Sequence, residues 1–180
     1  MSIVPVAVSV RLDLPREEWD DHPRFPAQTL LLGGHESFRR TSRSLLHRVE
    51  SGGDRQGIGW VFHVWKGGMH SHEHYEEHKL YPYLSHVWGI SFDEARAGHE
   101  ALADAEARVF EHLGGSGAAT AELADALRHH DAVLTEHLAL EEQLVIPALL
   151  ALEPADFETF LRSDIASLRR AVPRQVSDEG

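Results

Sequence analysis

Along most of the chain, apolar residues recur every three or four positions, the spacing of one helix face. From about Ala27, Leu31, His35, Phe38, Ser42, Leu45 and Val49 fall on one stripe. This predicts a helix that ends at "SGGDRQG", residues 51–57, with Gly33 and Gly34 weakening it just before His35. A second helix is expected from about Ile58 to Leu84, interrupted at Gly67 and Gly68 and carrying Pro82 near its end. "WGIS" is a short connection, and Ser91 a fitting N-cap for a third helix. Phe92, Ala95, His99, Leu102, Glu106, Val109 and Leu113 make that helix's stripe. After the loop "GGSGAAT", a fourth helix from about Ala119 to Leu152 carries Leu123, Leu127, His130, Val133, His137, Glu141, Leu144 and Ala148 inward. Pro147 either kinks it or marks its last turns. Strand-like alternation is nearly absent, so the expected fold is all-α, an up-down-up-down four-helix bundle.

The two ends depart from this pattern. Residues 1–26 hold Pro5, Pro15, Pro23 and Pro26 and read as an irregular N-terminal arm, with a short β-like piece at Val4–Val10. Residues 27–152 are the bundle. Residues 153–180 read as a short C-terminal helix and a tail whose last seven residues are frayed.

Composition narrows the function. A chain of 180 residues makes one domain with a real core. Its net charge of −12 argues against nucleic acid and against an anionic membrane surface. No apolar run approaches the roughly 20 residues of a membrane span, and no basic n-region marks a signal peptide. The expected compartment is the cytoplasm. With no cysteine, disulfides, thiolate metal sites and thiol catalysis are excluded. Fourteen histidines are well above ordinary usage, which turns attention to metal or proton chemistry.

Two segments repeat one frame. His72 is followed by Glu76, Glu77 and Pro82; His137 is followed by Glu141, Glu142 and Pro147. Both read H-x-x-x-E-E-x-x-x-x-P, about 65 residues apart. On a helical wheel each His–Glu pair is one turn apart and lies on an apolar stripe. His35 and His99 lie on the inner stripes of the first and third helices. Four imidazoles and two carboxylates directed into a bundle are costly unless something compensates them, and bound metal does so directly. Nitrogen and oxygen donors without sulfur suit iron, manganese or zinc. Two carboxylates can bridge a pair of ions, with two histidines on each. The positions left open suit a diatomic ligand, or an oxo or hydroxo bridge.

In "GHESFRR", "HEHYEEHKLYP", "AGHEAL" and "HLALEEQLVIP" the sequence resembles the hemerythrin-like family of HHE cation-binding domains, over about residues 27–152. The resemblance implies a non-haem di-iron centre held by His35, His72, Glu76, His99, His137 and Glu141, with the two glutamates bridging. It also implies a small ligand such as O2, NO or peroxide. One departure is Ala103, where oxygen carriers have a second histidine one turn after the first. Fewer protein nitrogens on one iron speak against simple oxygen carriage and leave two other readings open: a di-iron oxidase or peroxidase, and an iron- or oxygen-responsive regulatory module. The protein partner of such a module is not legible.

Other residues are weighed against plainer roles. Lys79, in phase with His72, is expected to snorkel out as its helix ends. Glu106 is a candidate to support the centre. His130 is equally well an extra ligand or a hydrogen-bonded core histidine. Arg39 is placed to bond a carboxylate near the metals. Glu73, Glu77 and Glu142 read as solvated, with Glu77 a candidate supporting residue. His63, His70, His74 and His78 read as an outer face, and His22, His47, His112 and His129 as surface or loop residues. His86 has no assigned direction. Trp60, Phe62, Trp65 and Trp88 read as core and helix-end packing, and Gly68 as either a space for a small ligand or a simple irregularity.

Overall fold

The computed structural model of the protein describes residues 11–162. The β-like piece expected at Val4–Val10 and the frayed last seven residues lie outside them. The helices are α1 (Leu30–Glu50), α2 (Arg55–Tyr75), α3 (Tyr81–Trp88), α4 (Asp93–Leu113), α5 (Ala121–Ala151) and α6 (Pro154–Arg162). The described residues form no strand; their one β-like contact is an isolated bridge between Asp54 and Ala118. Four long helices form a closed ring of neighbours: α1 packs on α2 and α5, and α4 packs on the same two.

The boundaries follow local chemistry. Asp54 caps α2, its carboxylate accepting from the Gly57 N–H, so this helix starts three residues earlier than the apolar pattern alone indicates. Thr120 caps α5 in the same way through the Leu123 N–H. Ser91 stands one residue outside the cap of α4, which is Phe92, yet its hydroxyl still accepts from the Asp93 N–H at 3.2 Å. Gly89, at φ 70°, closes α3 in the left-handed conformation that favours glycine.

The second expected helix is interrupted, but not at its glycines. Gly67 and Gly68 lie inside an unbroken α2. The break is a π-helical turn, Glu76–Leu80, in which the Tyr81 N–H reaches the Glu76 carbonyl. Such a turn inserts one residue into the helical phase. Lys79 is thereby carried off the His72 face, and Leu80 and Tyr81 become buried instead. The Lys79 ammonium lies outside the bundle and donates to the Leu161 carbonyl of α6 at 3.1 Å.

The arm is more ordered than expected. It contains a short 3₁₀ turn, Arg16–Glu18, and Trp19 is buried against Ile146 and Leu150. Arg24 donates to the carbonyls of Leu150, Ala151 and Leu152, and Gln28 to those of Leu149 and Leu152. These satisfy the open C-terminal end of α5. With arm, α6 and α3 around it, α5 is buried on every side from Val145 to Leu150, not on one stripe. Pro147 lies inside it, in the last turns.

One apolar cluster joins Leu45, Phe62, Trp65, Leu102 and Leu134. Trp60, by contrast, points to solvent. His130 sits in this cluster, edge-on to Phe62 and Trp65 with ring centroids 5.2 and 4.8 Å away. Neither ring nitrogen has a hydrogen-bond partner, so it is a core histidine without the expected bond. Burial pushes its pKa down to about 4. The unfolded chain then takes up a proton below about pH 6.5 that the folded chain refuses, and stability falls as pH drops through that window. His130→Leu should therefore resist acid: between pH 7 and pH 4.5 the native metal-free protein should lose roughly 2 kcal/mol more than the variant. Urea unfolding at both pH values measures this, and parallel losses in the two proteins would refute it.

Candidate metal centre

The two repeats deliver their donors from opposite sides of the ring. His72 lies in the last turn of α2, and Glu76 opens the π turn, so both face inward before the phase shifts. His137 and Glu141 lie mid-way along α5. His35 comes from α1 and His99 from α4. His35, Glu76, His137 and Glu141 are buried, and His72 and His99 are nearly so.

Four of these residues converge most tightly. One donor atom from each of His35, His72, Glu76 and Glu141 lies within 4.8 Å of the others. The facing Nε2 atoms of His35 and His72 are 3.0 Å apart. His72 Nε2 stands 2.7 Å from Glu76 Oε1, close but without the alignment of a hydrogen bond. His35 Nε2 is 3.8 Å from the same oxygen and 3.4 Å from Glu141 Oε2. His99 and His137 stand on the far side of the glutamates. His99 Nε2 is 3.5 Å from Glu76 Oε2, and His137 Nε2 is 3.7 Å from Glu141 Oε2. Their rings meet edge to face, 4.7 Å between centroids.

Both oxygens of Glu76, Oε2 of Glu141, Nε2 of His99 and both nitrogens of His137 are buried without hydrogen-bond partners. Orphaned polar atoms are rare in protein interiors, and a cluster of them facing one point needs an explanation. Oxygen and imidazole donors of this kind fit a cation.

Without a cation, protons carry the compensation. Burial alone would lower the pKa of His35, but the nearby carboxylates of Glu141, Glu142 and Glu76 overturn that and raise it to about 10. Burial would raise the pKa of Glu76, yet His35, His72 and His99 hold it well below the usual carboxylate range. Burial, with the charge of Glu76, pushes Glu141 up against the opposing effect of His35. His99 is raised to about 9 by Glu76 and Glu77 against the effect of burial, while burial and the charge of His99 push His137 down to about 4.

Three residues support these donors, and of them the sequence offered only Glu77 as a candidate. Glu142 is buried, not solvated, and pairs with His35 Nδ1 at 3.0 Å. Arg39 and Arg16 each bond it at 2.6 Å, which with His35 holds its pKa down to about 2 despite burial. Glu77 does the same for His99, 3.0 Å from its Nδ1, and is itself held by Arg96. Tyr81 donates its hydroxyl to Glu141 Oε1. Its ring stacks on Phe92, 4.4 Å away, and burial raises its pKa. The doubled glutamate of each repeat was the available signal for the first two. Tyr81 had none, because the π turn that brings it inward is invisible in the wheel.

Gly98 supplies room rather than a donor. A Cβ there would lie 2.4 Å from His137 Nδ1, so only glycine lets α4 and that imidazole approach. Other expected participants stay apart. Glu106 is buried but pairs with Lys66. Ala103 is exposed, as are His63, His70, His74 and His78. A Cβ at Gly68 would meet Phe38, so no space for a ligand lies there.

A family model described as the hemerythrin HHE cation-binding domain matches residues 27–149. The chain belongs to this family. No curated protein and no solved structure matches it. The matched span contains all six of the converging donors and ends before α6.

Two substitutions probe this HHE domain. Glu142→Gln keeps the shape but weakens the hold on His35, and should lower metal affinity by about 10- to 100-fold in a competitive titration; unchanged affinity would show that Glu142 does not orient the ligand. Gly98→Ala should destabilise the protein by about 1–3 kcal/mol through crowding of His137, although alanine at an open helical site gains up to about 1 kcal/mol. A rise in thermal midpoint would contradict the crowding.

Proposed function

We propose that the protein is a non-haem di-iron protein, an up-down-up-down four-helix bundle that binds or senses a small ligand such as O2, NO or peroxide. The observation that carries this reading is the sharing of both inner carboxylates. Glu76 faces His72 and His35 through one oxygen and His99 through the other. Glu141 Oε2 faces His35 on one side and His137 on the other. Two histidine pairs with two carboxylates between them are the ligand set for two ions, not one. His35, His72 and both glutamates would hold the first ion; His99, His137 and the same glutamates would hold the second. Six protein donors leave positions for a small ligand, and manganese or zinc would satisfy the same donors. Iron would supply reversible one-electron and dioxygen chemistry. The protein's part is to exclude water and to fix the imidazoles and carboxylates in place.

An oxidase or peroxidase reading is favoured by one observation. Tyr81 directs its phenolic O–H at Glu141, inside the centre, and burial raises its pKa further above the ordinary range. An acid at a shared carboxylate is of use to turnover and of little use to simple storage.

Anaerobic ferrous titration of the untagged protein should reach two ions per chain, measured by elemental analysis. The tight four-donor group should fill first. Glu76→Gln, which removes the charge shared by both pairs, should reduce the count to one or none. A wild-type endpoint at one ion would refute the paired centre. Because every imidazole must be deprotonated to bind, occupancy should fall as pH is lowered from 7 to 5. Peroxide consumption by the loaded protein, lost in Tyr81→Phe at unchanged iron content, would select the enzymatic reading.

A further inference from the structure

A half-open pocket of about 220 Å³ lies between α1, the end of α2, the π turn, α5 and α6, and one of its walls is His72, a candidate metal ligand. Gly34 lies beside that residue: a Cβ there would be 3.9 Å from His72 Cε1, so glycine leaves the imidazole edge uncovered. The remaining surface is mostly Leu31, Leu80, Leu149, Phe157 and Phe160. Among the described residues, no carboxylate, ammonium or guanidinium lines it. The amide nitrogen of Gln28, also in the wall, is spent on the carbonyls of Leu149 and Leu152.

The roof is α6, which lies outside the span matched by the HHE family model. It is tied down over the cavity. Lys79 bonds the Leu161 carbonyl and sits 5.0 Å from the centre of the Phe160 ring. Tyr83 stacks on the same ring at 4.7 Å. Tyr75 and Leu161, both partly exposed, stand at the rim. The floor and walls therefore belong to the matched domain, and only the roof, α6, lies beyond it; the pocket abuts the most exposed of the four tightly converging donors.

We propose that this cavity binds a small, uncharged, largely apolar organic molecule of one or two rings against the edge of His72. Size and lining set the class. A dry apolar cavity of about 150 Å³ accommodates benzene, so 220 Å³ takes up to an indole-sized molecule. A charged molecule would lose its hydration against a lining with no charged side chain, the Lys79 ammonium standing beyond the Phe160 ring and spent on the Leu161 carbonyl. Its consequence for a metal centre rests on the reading given under Proposed function; the binding itself does not. A molecule held there shields His72 from water and stands beside the ion that His72 would carry.

The test is ligand-observed NMR on the full chain with benzene, indole and benzoate as probes, once metal-free and once after ferrous loading. Benzene and indole should bind with roughly millimolar Kd, and benzoate at least about tenfold more weakly. Gly34→Leu, which fills the cavity from an α1 position where leucine favours the helix, should weaken indole by at least about tenfold. Amide shifts on adding indole to the metal-free protein should centre on Gly34, Leu80 and Phe157. Absence of ring binding, equal binding of benzoate, or shifts centred elsewhere would overturn the proposal whether or not the variant folds. Iron binding without ring binding would remove this inference alone. Ring binding without iron binding would remove the di-iron reading and leave the cavity as a binding site.

Discussion

Two carboxylates with no contact to solvent, Glu76 and Glu141, set the terms for the rest of the structure. An ionised carboxylate in an apolar interior is stable only beside matching charge. In this fold the match must come from several helices at once, because no single helix face offers it. His72 shares a helical run with Glu76, and His137 shares one with Glu141, but the third and fourth imidazoles arrive from α1 and α4. The ring of helices is thus closed around the carboxylates as well as around the apolar clusters on either side of them. Gly98 shows how tightly: α4 approaches so near that the ring of His137 occupies the space of a missing side chain.

The doubled glutamate of each repeat divides the work. The first member turns into the centre. The second lies about 100° further round the helix and reaches a histidine on a different helix. Glu77 holds His99, and Glu142 holds His35. One six-residue frame therefore specifies both a shared inner carboxylate and the partner that fixes the orientation of a remote imidazole. The arrangement continues outward through Arg96 for the first repeat and through Arg39 and Arg16 for the second. Arg16 belongs to the N-terminal arm, so a segment before the family match ends in the hydrogen-bond chain of His35, a candidate metal ligand. Packing of Trp19 and capping by Arg24 hold that arm in place.

The inner stripes of α1 and α4, and the His–Glu pairs, were legible because helical phase is regular over two or three turns. His35, Ser42, Leu45 and Val49, for example, are all buried as their spacing requires. Phase fails where the helix is irregular. Lys79 and Tyr81 were misplaced or missed for one reason, the extra residue in the Glu76–Leu80 turn. Exposure also fails where a face is covered by side chains from other segments. Glu142 looks solvated on the α5 wheel, but the arm and α1 cover it. Trp60 shows the reverse, a large apolar residue that nothing in the described chain covers. Neither kind of covering leaves a periodic trace.

The two repeats agree letter for letter in their frame and yet build different ends. Proline removes an N–H and crowds the carbonyl four residues back, and both repeats carry one at the same place. Only the first answers with a widened turn; α5 runs through Pro147 as a continuous helix. Proline alone therefore does not dictate the turn. What differs is the surroundings. Around Pro147 the arm, α3 and α6 bury α5 on all sides. The chain after Glu76 must instead bring Tyr81 in to Glu141 and send Lys79 out to α6, two demands that a regular helix cannot meet together. The π turn meets both, one side chain completing the polar centre and the other anchoring the helix that roofs the cavity beside His72.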